Sequence, residues 1–295
     1  MKRKALFVIN PVAGGKSKAH VPQLIQKCLN KNVLESTIVF TEEAGHANWL
    51  AKEAIDTYPV IVAVGGDGTV NEVASAVVGS QSALGILPFG SGNGLSRFLG
   101  IPMDTAEAIK SLGNCHIEQI DAGQINGQWF FNMAGMGFDA HISQVFAQQG
   151  TRGFITYFKS AVREIINYKS QAYHLNIDGK EYDREAFMLS FANSSQYGNN
   201  AHVSPTASVQ DGLLDVCVIK PFPLYRFPEM GLRMFTKTAD KSKYVEIIKG
   251  KHISVFRKAS GPVHLDGEPQ TLGESAEIKI FPRSLNVVVG HYPAK

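Results

Sequence analysis

Residues 64–73 read Val64-Gly65-Gly66-Asp67-Gly68-Thr69-Val70-Asn71-Glu72-Val73 and follow the apolar run Val60-Ile61-Val62-Ala63. Such a continuous run is what a strand buried on both faces requires. The glycines end it, and a helix is predicted to open at Asn71 and Glu72, so backbone N–H groups and the positive end of the helix dipole face an anion there. Glycine lets phosphate oxygens approach the main chain, and Thr69 adds a hydroxyl donor. Asp67 is poorly suited to touching a phosphate directly and better suited to holding magnesium or its water shell. An ordinary strand-to-helix turn is the plain alternative, and the combination of strand, GGDGT and helix argues against it.

The same grammar repeats around this segment. ALFVI at 5–9, a helix after Ser17, STIVF at 36–40, a helix from about His46 and the apolar run LGILP at 84–88 predict a parallel sheet with helices on its faces. Ligands of open α/β sheets gather at the carboxyl ends of the strands, so the loops at 10–17, 65–69 and 90–94 are expected to converge on one crevice. The first of them ends in Gly15-Lys16-Ser17 but has Asn10 where a P-loop needs its first glycine, and Pro11 removes a donor. Only proximity to a nucleotide is left, with Lys16 or Asn10 as contacts. The third loop has Leu95 where a dinucleotide fingerprint needs glycine, which removes the main support for a dehydrogenase.

From about residue 118 the texture changes to turn-separated strands: IEQIDAGQI, WFFNMAG, AYHLNID, AFMLSFA, LLDVCVI, HISVF, VHLDG and AEIKIFP. These read as a sandwich or barrel, with helical stretches near 152–168 and 224–239. The last strand, LNVVV at 285–289, could return to either domain. A length of 295 residues at 44% hydrophobic composition supports two such domains. Lys and Arg number 29 against 26 Asp and Glu, and a net charge of +3 excludes a polybasic nucleic-acid coat. Cys28, Cys115 and Cys217 show no CxxC spacing, and the histidines show no HExxH, which speaks against disulfides and zinc and for a cytoplasmic setting. The apolar part of MKRKALFVIN is too short for a signal peptide, and no run approaches the roughly 18 apolar residues needed to span a bilayer.

Two acidic segments lie in the β-rich half. Val263-His264-Leu265-Asp266-Gly267-Glu268 places two carboxylates across a glycine. Either can accept a proton from an attacking hydroxyl if it comes within about 3 Å, although DG is also a common hairpin turn. Gln210-Asp211-Gly212-Leu213-Leu214-Asp215 is an acidic turn whose carboxylate and carbonyl oxygens suit a hard cation, or is just a turn. Residues 222–243 alternate apolar side chains with Arg226, Arg233, Lys237, Lys241 and Lys243, a pattern that fits either an anionic lipid surface or the solvated face of a packed helix.

Taken together, NPVAGGKSK at 10–18, Thr41 with the GHA segment, GGDGTVNEV at 65–73, LPFGSGNGLSR at 87–97, QDGLLDV and LDGEP at 265–269 resemble the catalytic-domain family of diacylglycerol kinases, sphingosine kinases and bacterial lipid kinases over nearly the whole chain. The resemblance implies an N-terminal parallel α/β ATP-binding domain related to phosphofructokinase and NAD kinase over 1–120. It also implies a β-sandwich-like lipid-substrate domain over 121–284 and ATP between the two domains; the terminal strand or tail at 285–295 is left open, with a return to the first domain as one of its two destinations. By position it assigns nucleotide contacts to Asn10, Thr41, Gly65, Gly66, Asp67, Gly68, Thr69, Val70, Asn71, Glu72 and Ser91, and a magnesium network to Asp67. Glu268 and Asp266 compete as catalytic base, and a further, structural magnesium maps onto Asp211 with Ser208 and Leu213.

The activity implied is transfer of the ATP γ-phosphoryl group to diacylglycerol or a sphingoid base, with Mg2+, at the inner membrane face. A homodimer is left open. One departure is Gly94, where diacylglycerol kinases of bacterial type carry an acid; GSGN before a small residue is more like sphingosine kinases. A soluble kinase of the NAD kinase type shares GGDGT, and a non-catalytic nucleotide-binding regulator is the reading that Gly94 favours.

Overall fold

The computed structural model describes residues 2–15, 17–114, 116–148 and 164–290. Lys16, Cys115 and most of the helical stretch expected near 152–168 therefore lie outside the described residues. The chain divides into two compact units, 1–120 with 283–295, and 121–282.

In the first unit β1 (Arg3–Ile9), β2 (Leu34–Phe40), β3 (Val60–Gly65) and β4 (Ala83–Pro88) form a parallel sheet in the order β2-β1-β3-β4. Every residue of β3 and β4 is buried, as their unbroken apolar runs require. Helices α1 (Val21–Cys28), α2 (His46–Ala54), α3 (Asp67–Val77), α4 (Gly94–Phe98) and α5 (Thr105–Leu112) connect and follow these strands. Val70, Val73, Ala74 and Val77 of α3 are buried at the i, i+3, i+4, i+7 spacing of a packed helix face. The end of a long last strand, β18 (Ser275–Val288), pairs with β4 through Asn286 and Val287.

The second unit is β-sandwich-like. The strands β7 (Met133–Gly137), β10 (Met188–Ala192), β13 (Leu214–Ile219), β14 (Val245–Gly250), β16 (Gly261–Leu265) and β17 (Glu268–Leu272) form an antiparallel sheet in the order β14-β13-β10-β7-β16-β17. Facing it, the first part of β18 pairs with β15 (His252–Arg257), β15 with β8 (Gln171–Ile177), and β8 with β9 (Lys180–Ala186) at the edge. Leu189, Val216 and Val263 from one sheet share a core with Leu175, Val255 and Ile278 from the other. The outer face of the first sheet is covered by helices α6 (Phe138–Gln148) and α7 (Phe227–Phe235), whose Phe138, Ile142 and Met230 pack with Met133, Met188 and Cys217.

The expected strands are present, and WFFNMAG splits into β6 (Gln128–Phe130) and β7. Among the described residues five strands escaped the apolar pattern, two of them the short pair β11 (Gln196–Gly198) and β12 (Ala201–His202). KEYDREA of β9 and EPQTL of β17 are polar because they close the ends of their sheets, and VEIIKG of β14 is only half-buried. Helix α6 was also missed, since FDAHISQVFAQ follows a glycine-rich strand with no separating turn signal.

Candidate active site

The chain leaving β1 and β4 keeps pairing with the neighbouring strand end, with Asn10 N–H on the Val64 carbonyl at 3.0 Å and Phe89 N–H on the Gly65 carbonyl at 2.7 Å. The first, second and third loops are thereby brought side by side. Gly14 lies so close to the Phe89 carbonyl that a side chain there would overlap it, and its φ of 64° is one that glycine adopts without strain. A Cβ on Gly90 would stand 2.9 Å from the Gly66 Cα and 2.7 Å from Asn93 Oδ1. The glycines are therefore needed for the loops to touch one another, besides any role in admitting a ligand.

Polar bonds lock the same contact. Asn10 Nδ2 donates to Thr69 Oγ1 at 3.1 Å, and the Val12 N–H donates to Asn10 Oδ1 at 3.1 Å. The carboxylate of Asp67 accepts the N–H groups of Asn93 at 3.0 Å and Gly94 at 3.2 Å. Asn93, in the left-handed region at φ 51°, folds its amide back on Gly90 at 2.9 and 2.7 Å. Lys18 is 2% exposed, donates to the Ala13 carbonyl and lies 5.1 Å over the Phe89 ring, which joins the first loop to the third.

Helix α3 starts at Asp67, four residues before the Asn71 expected from sequence, with Gly66 as its N-cap. Asp67, Gly68 and Thr69 therefore belong to its first turn. Asp67 does not compete for its own backbone, because its side chain reaches sideways to the third loop. The Glu72 carboxylate accepts the N–H groups of Gly45 and Ala47, each at 3.1 Å, and so satisfies the start of α2. Thr41 is buried, its N–H on the Ile9 carbonyl at 2.9 Å; Val70 is buried, Asn71 accepts from Ser75, and Ser91 is exposed in the third loop.

In the second unit Asp266 and Gly267 form the two-residue turn between β16 and β17, with φ of 49° and 91°. That is the turn the DG pair suits. The Asp266 carboxylate accepts the N–H groups of Phe131 at 3.0 Å, Asn132 at 2.8 Å and Met133 at 3.0 Å, and the Asp266 N–H returns to the Met133 carbonyl at 2.9 Å. Glu268, the first residue of β17, is exposed. Further along β17, Pro269, Gln270 and Thr271 line a shallow depression of about 290 Å³ with Gln144 and Ala147 of α6.

At the other acidic turn Asp211 Oδ1 accepts the Leu213 N–H at 3.2 Å, and Oδ2 pairs with Lys249 at 2.9 Å. Lys249 also reaches the buried Asp215 at 3.1 Å, and the Ser208 hydroxyl accepts from Gln210. Burial works against the Lys249 charge, yet the two carboxylates outweigh it and hold its pKa above the ordinary value. The Asp211 carboxylate at this turn is thus shared between the Leu213 N–H and the Lys249 ammonium. Among the described residues no group of three or more His, Cys, Asp or Glu could hold a metal ion. Asp67 fits a different arrangement, in which magnesium is bound mostly by substrate phosphates and one or two carboxylates.

Residues 4–125 match the diacylglycerol kinase catalytic domain, and residues 132–289 match the YegS C-terminal NAD kinase beta sandwich-like domain. A protein of Bacillus subtilis (strain 168) named diacylglycerol kinase is 28% identical over 273 residues, 90% of each chain. A YegS-like lipid kinase of Pseudomonas aeruginosa PAO1 is 28% identical over 298 residues, 99% of this chain and 95% of its own. A crystal structure from Bacillus anthracis str. Sterne with a provisional diacylglycerol kinase designation superposes with a TM-score of 0.82 at 26% identity, over 99% of this chain and 97% of that one.

Proposed function

The chain belongs to the family that joins a diacylglycerol kinase catalytic domain to a YegS C-terminal domain, and from that membership we propose that it transfers the γ-phosphoryl group of ATP to a hydroxyl of diacylglycerol or a sphingoid base. The observation that carries this reading is the convergence of the loops after β1, β3 and β4 around the N-terminus of α3, held by the Asn10–Thr69 and Asp67–Asn93 bonds. Backbone N–H groups at such a point stabilise phosphate charge. Asn10, Thr41, Ser91 and the segment from Gly65 to Asn71 would surround the nucleotide, whereas Glu72 is already committed to α2. Asp67 would hold magnesium or its waters, and that ion would supply neutralisation of the phosphate charge.

Glu268 is assigned as the base and Asp266 as the residue that shapes the turn, because both Asp266 oxygens are engaged by backbone N–H groups while Glu268 is exposed. The acceptor hydroxyl gives its proton to Glu268 and its oxygen bonds to the γ-phosphorus. The bond from that phosphorus to the β,γ-bridging oxygen breaks, and ADP leaves.

A lipid acceptor would be met at a membrane surface, and among the described residues no helix is long and apolar enough to cross a membrane. Leu224, Tyr225, Leu232 and Phe235, on α7 and the turn before it, are 49, 76, 63 and 45% exposed, beside exposed Arg226, Lys237, Lys241 and Lys243. Apolar side chains with a basic rim suit an anionic bilayer. Binding to vesicles that rises with anionic lipid and is lost when the three lysines are changed to Gln would support this face; binding unaffected by those changes would remove it.

The deciding experiment is transfer of label from radiolabelled ATP to diacylglycerol, sphingosine, ceramide and NAD. A labelled lipid is expected. Label on NAD alone would indicate the soluble kinase, and no labelled product from any acceptor would overturn the reading in favour of a nucleotide-binding regulator.

A further inference from the structure

The second unit contains a buried carboxylate that the proposed reaction does not use. Asp139, the second residue of α6, and His264 of β16 have side chains only 6% and 3% exposed. Asp139 Oδ2 accepts from Tyr197 Oη at 2.8 Å, from His264 Nε2 at 3.0 Å and from Ser190 Oγ at 3.4 Å, and Oδ1 accepts the Ala140 N–H at 2.8 Å. Burial, with Asp139 beside it, pushes the Tyr197 phenol well above its ordinary value, which keeps it a donor. A carboxylate acceptor on Nε2 leaves Nδ1 of a neutral imidazole as an acceptor. The group facing Nδ1 is the Gly267 N–H, at 3.4 Å.

The turn before Glu268 is thus gripped twice, through the Asp266 carboxylate and through the His264 ring. Space for the second grip is provided by Gly135, which pairs with His264 across the sheet. A Cβ on Gly135 would overlap the Asp139 carboxylate and come within 2.6 Å of His264 Nε2. Burying a carboxylate and its partners is costly, and a well-packed apolar set of similar volume is often no less stable. The arrangement is better explained by what it orients than by the stability it adds.

We propose that Asp139 and His264 are a buried positioning pair that holds the Asp266–Gly267 turn, and through it the Glu268 carboxylate, in the geometry that phosphoryl transfer requires. The proposal rests on Glu268 being the base. The test uses the full chain with His264→Gln, Asp139→Asn and Gly135→Ala, each alone and combined with Glu268→Ala. The measurements are kcat for lipid phosphorylation, KM for ATP and the melting temperature. His264→Gln and Asp139→Asn should lower kcat by about 10- to 100-fold with KM for ATP unchanged, the scale of a small misplacement of a reacting group. In the Glu268→Ala background the same changes should cost less than twofold, because the residue they orient is gone.

Equal losses with and without Glu268, or a wild-type kcat in both His264→Gln and Asp139→Asn, would overturn the proposal. If one variant fails to fold, the other and Gly135→Ala carry the same comparison. Should Glu268→Ala itself leave kcat unchanged, the assignment of the base fails, an outcome separate from equal losses in an otherwise impaired Glu268→Ala background.

Discussion

The glycine-bearing loops of the first unit and the Asp266–Gly267 turn of the second are built by opposite means. In the loops, backbone packs on backbone: Gly14 against Phe89 and Gly90 against Gly66 leave no room for a Cβ on the first residue of each pair. At the turn, side chains of the hairpin itself hold a two-residue loop: the Asp266 carboxylate accepts three N–H groups from residues 131–133, and His264, backed by Asp139 of α6, accepts a fourth from Gly267. A surface meant to receive phosphate oxygens needs main-chain N–H groups laid bare, so side chains must be absent. A base must be held within a few tenths of an ångström of its proton, so side chains must be present and satisfied. Damage to the first region should therefore appear in nucleotide affinity, and damage to the second in turnover.

The sharpest way to break that contrast is Glu268→Ala. Its kcat for lipid phosphorylation should fall about a thousandfold with KM for ATP unchanged, the usual contribution of a general base; steady-state kinetics over both substrates reads the split. Asp266→Ala comes next. It strands the N–H groups of buried Phe131, Asn132 and Met133 and leaves alanine at a positive φ, so unfolding free energy should drop by about 3 kcal/mol in denaturant titration. Asp266→Asn should keep part of that stability.

Gly90→Ala sharpens the other side. A methyl group 2.9 Å from the Gly66 Cα must push the loops apart, raising KM for ATP about tenfold and costing roughly 1–3 kcal/mol, with kcat less affected. The smallest change belongs to neither region. Glu246 bridges Arg184 at 2.9 Å and Lys220 at 2.9 Å, and the hydrogen bond from Arg184 leads the causes that pull its pKa from 4.5 to about 2. A depressed carboxylate stabilises the fold above its ordinary pKa, and that contribution is lost as pH falls toward 2. Glu246→Gln should cost about 1 kcal/mol at pH 7, and its melting temperature should approach that of the wild type only between pH 4.5 and 2.

Much of the architecture was legible because the signals are local. Unbroken apolar runs marked β3 and β4, and the DG pair marked the β16–β17 turn. Where burial is shallow, the pattern fades, as in β9 and β17. The candidate site divides the same way. GGDGT marked the strand end at which the three loops meet from residues adjacent in sequence, and LDGE marked a pair of carboxylates. Nothing near Asp266 or Glu268 in the chain distinguishes them, since the N–H donors that occupy Asp266 are more than 130 residues away. Asp139 lies 125 residues from His264 and carries no motif that would have singled it out.

Composition and periodicity were thus enough to mark an α/β unit followed by a β-rich one, sandwich or barrel, because hydrophobic burial follows a pattern written residue by residue. The partners of each polar side chain were not settled there. Asp67 on the third loop, Glu72 on α2, Lys249 on Asp211 and His264 on Asp139 are all pairings across tens of residues or more. A buried or half-buried charge takes whichever donors the folded chain brings within about 3 Å, and that choice exists only once the strands and helices are packed.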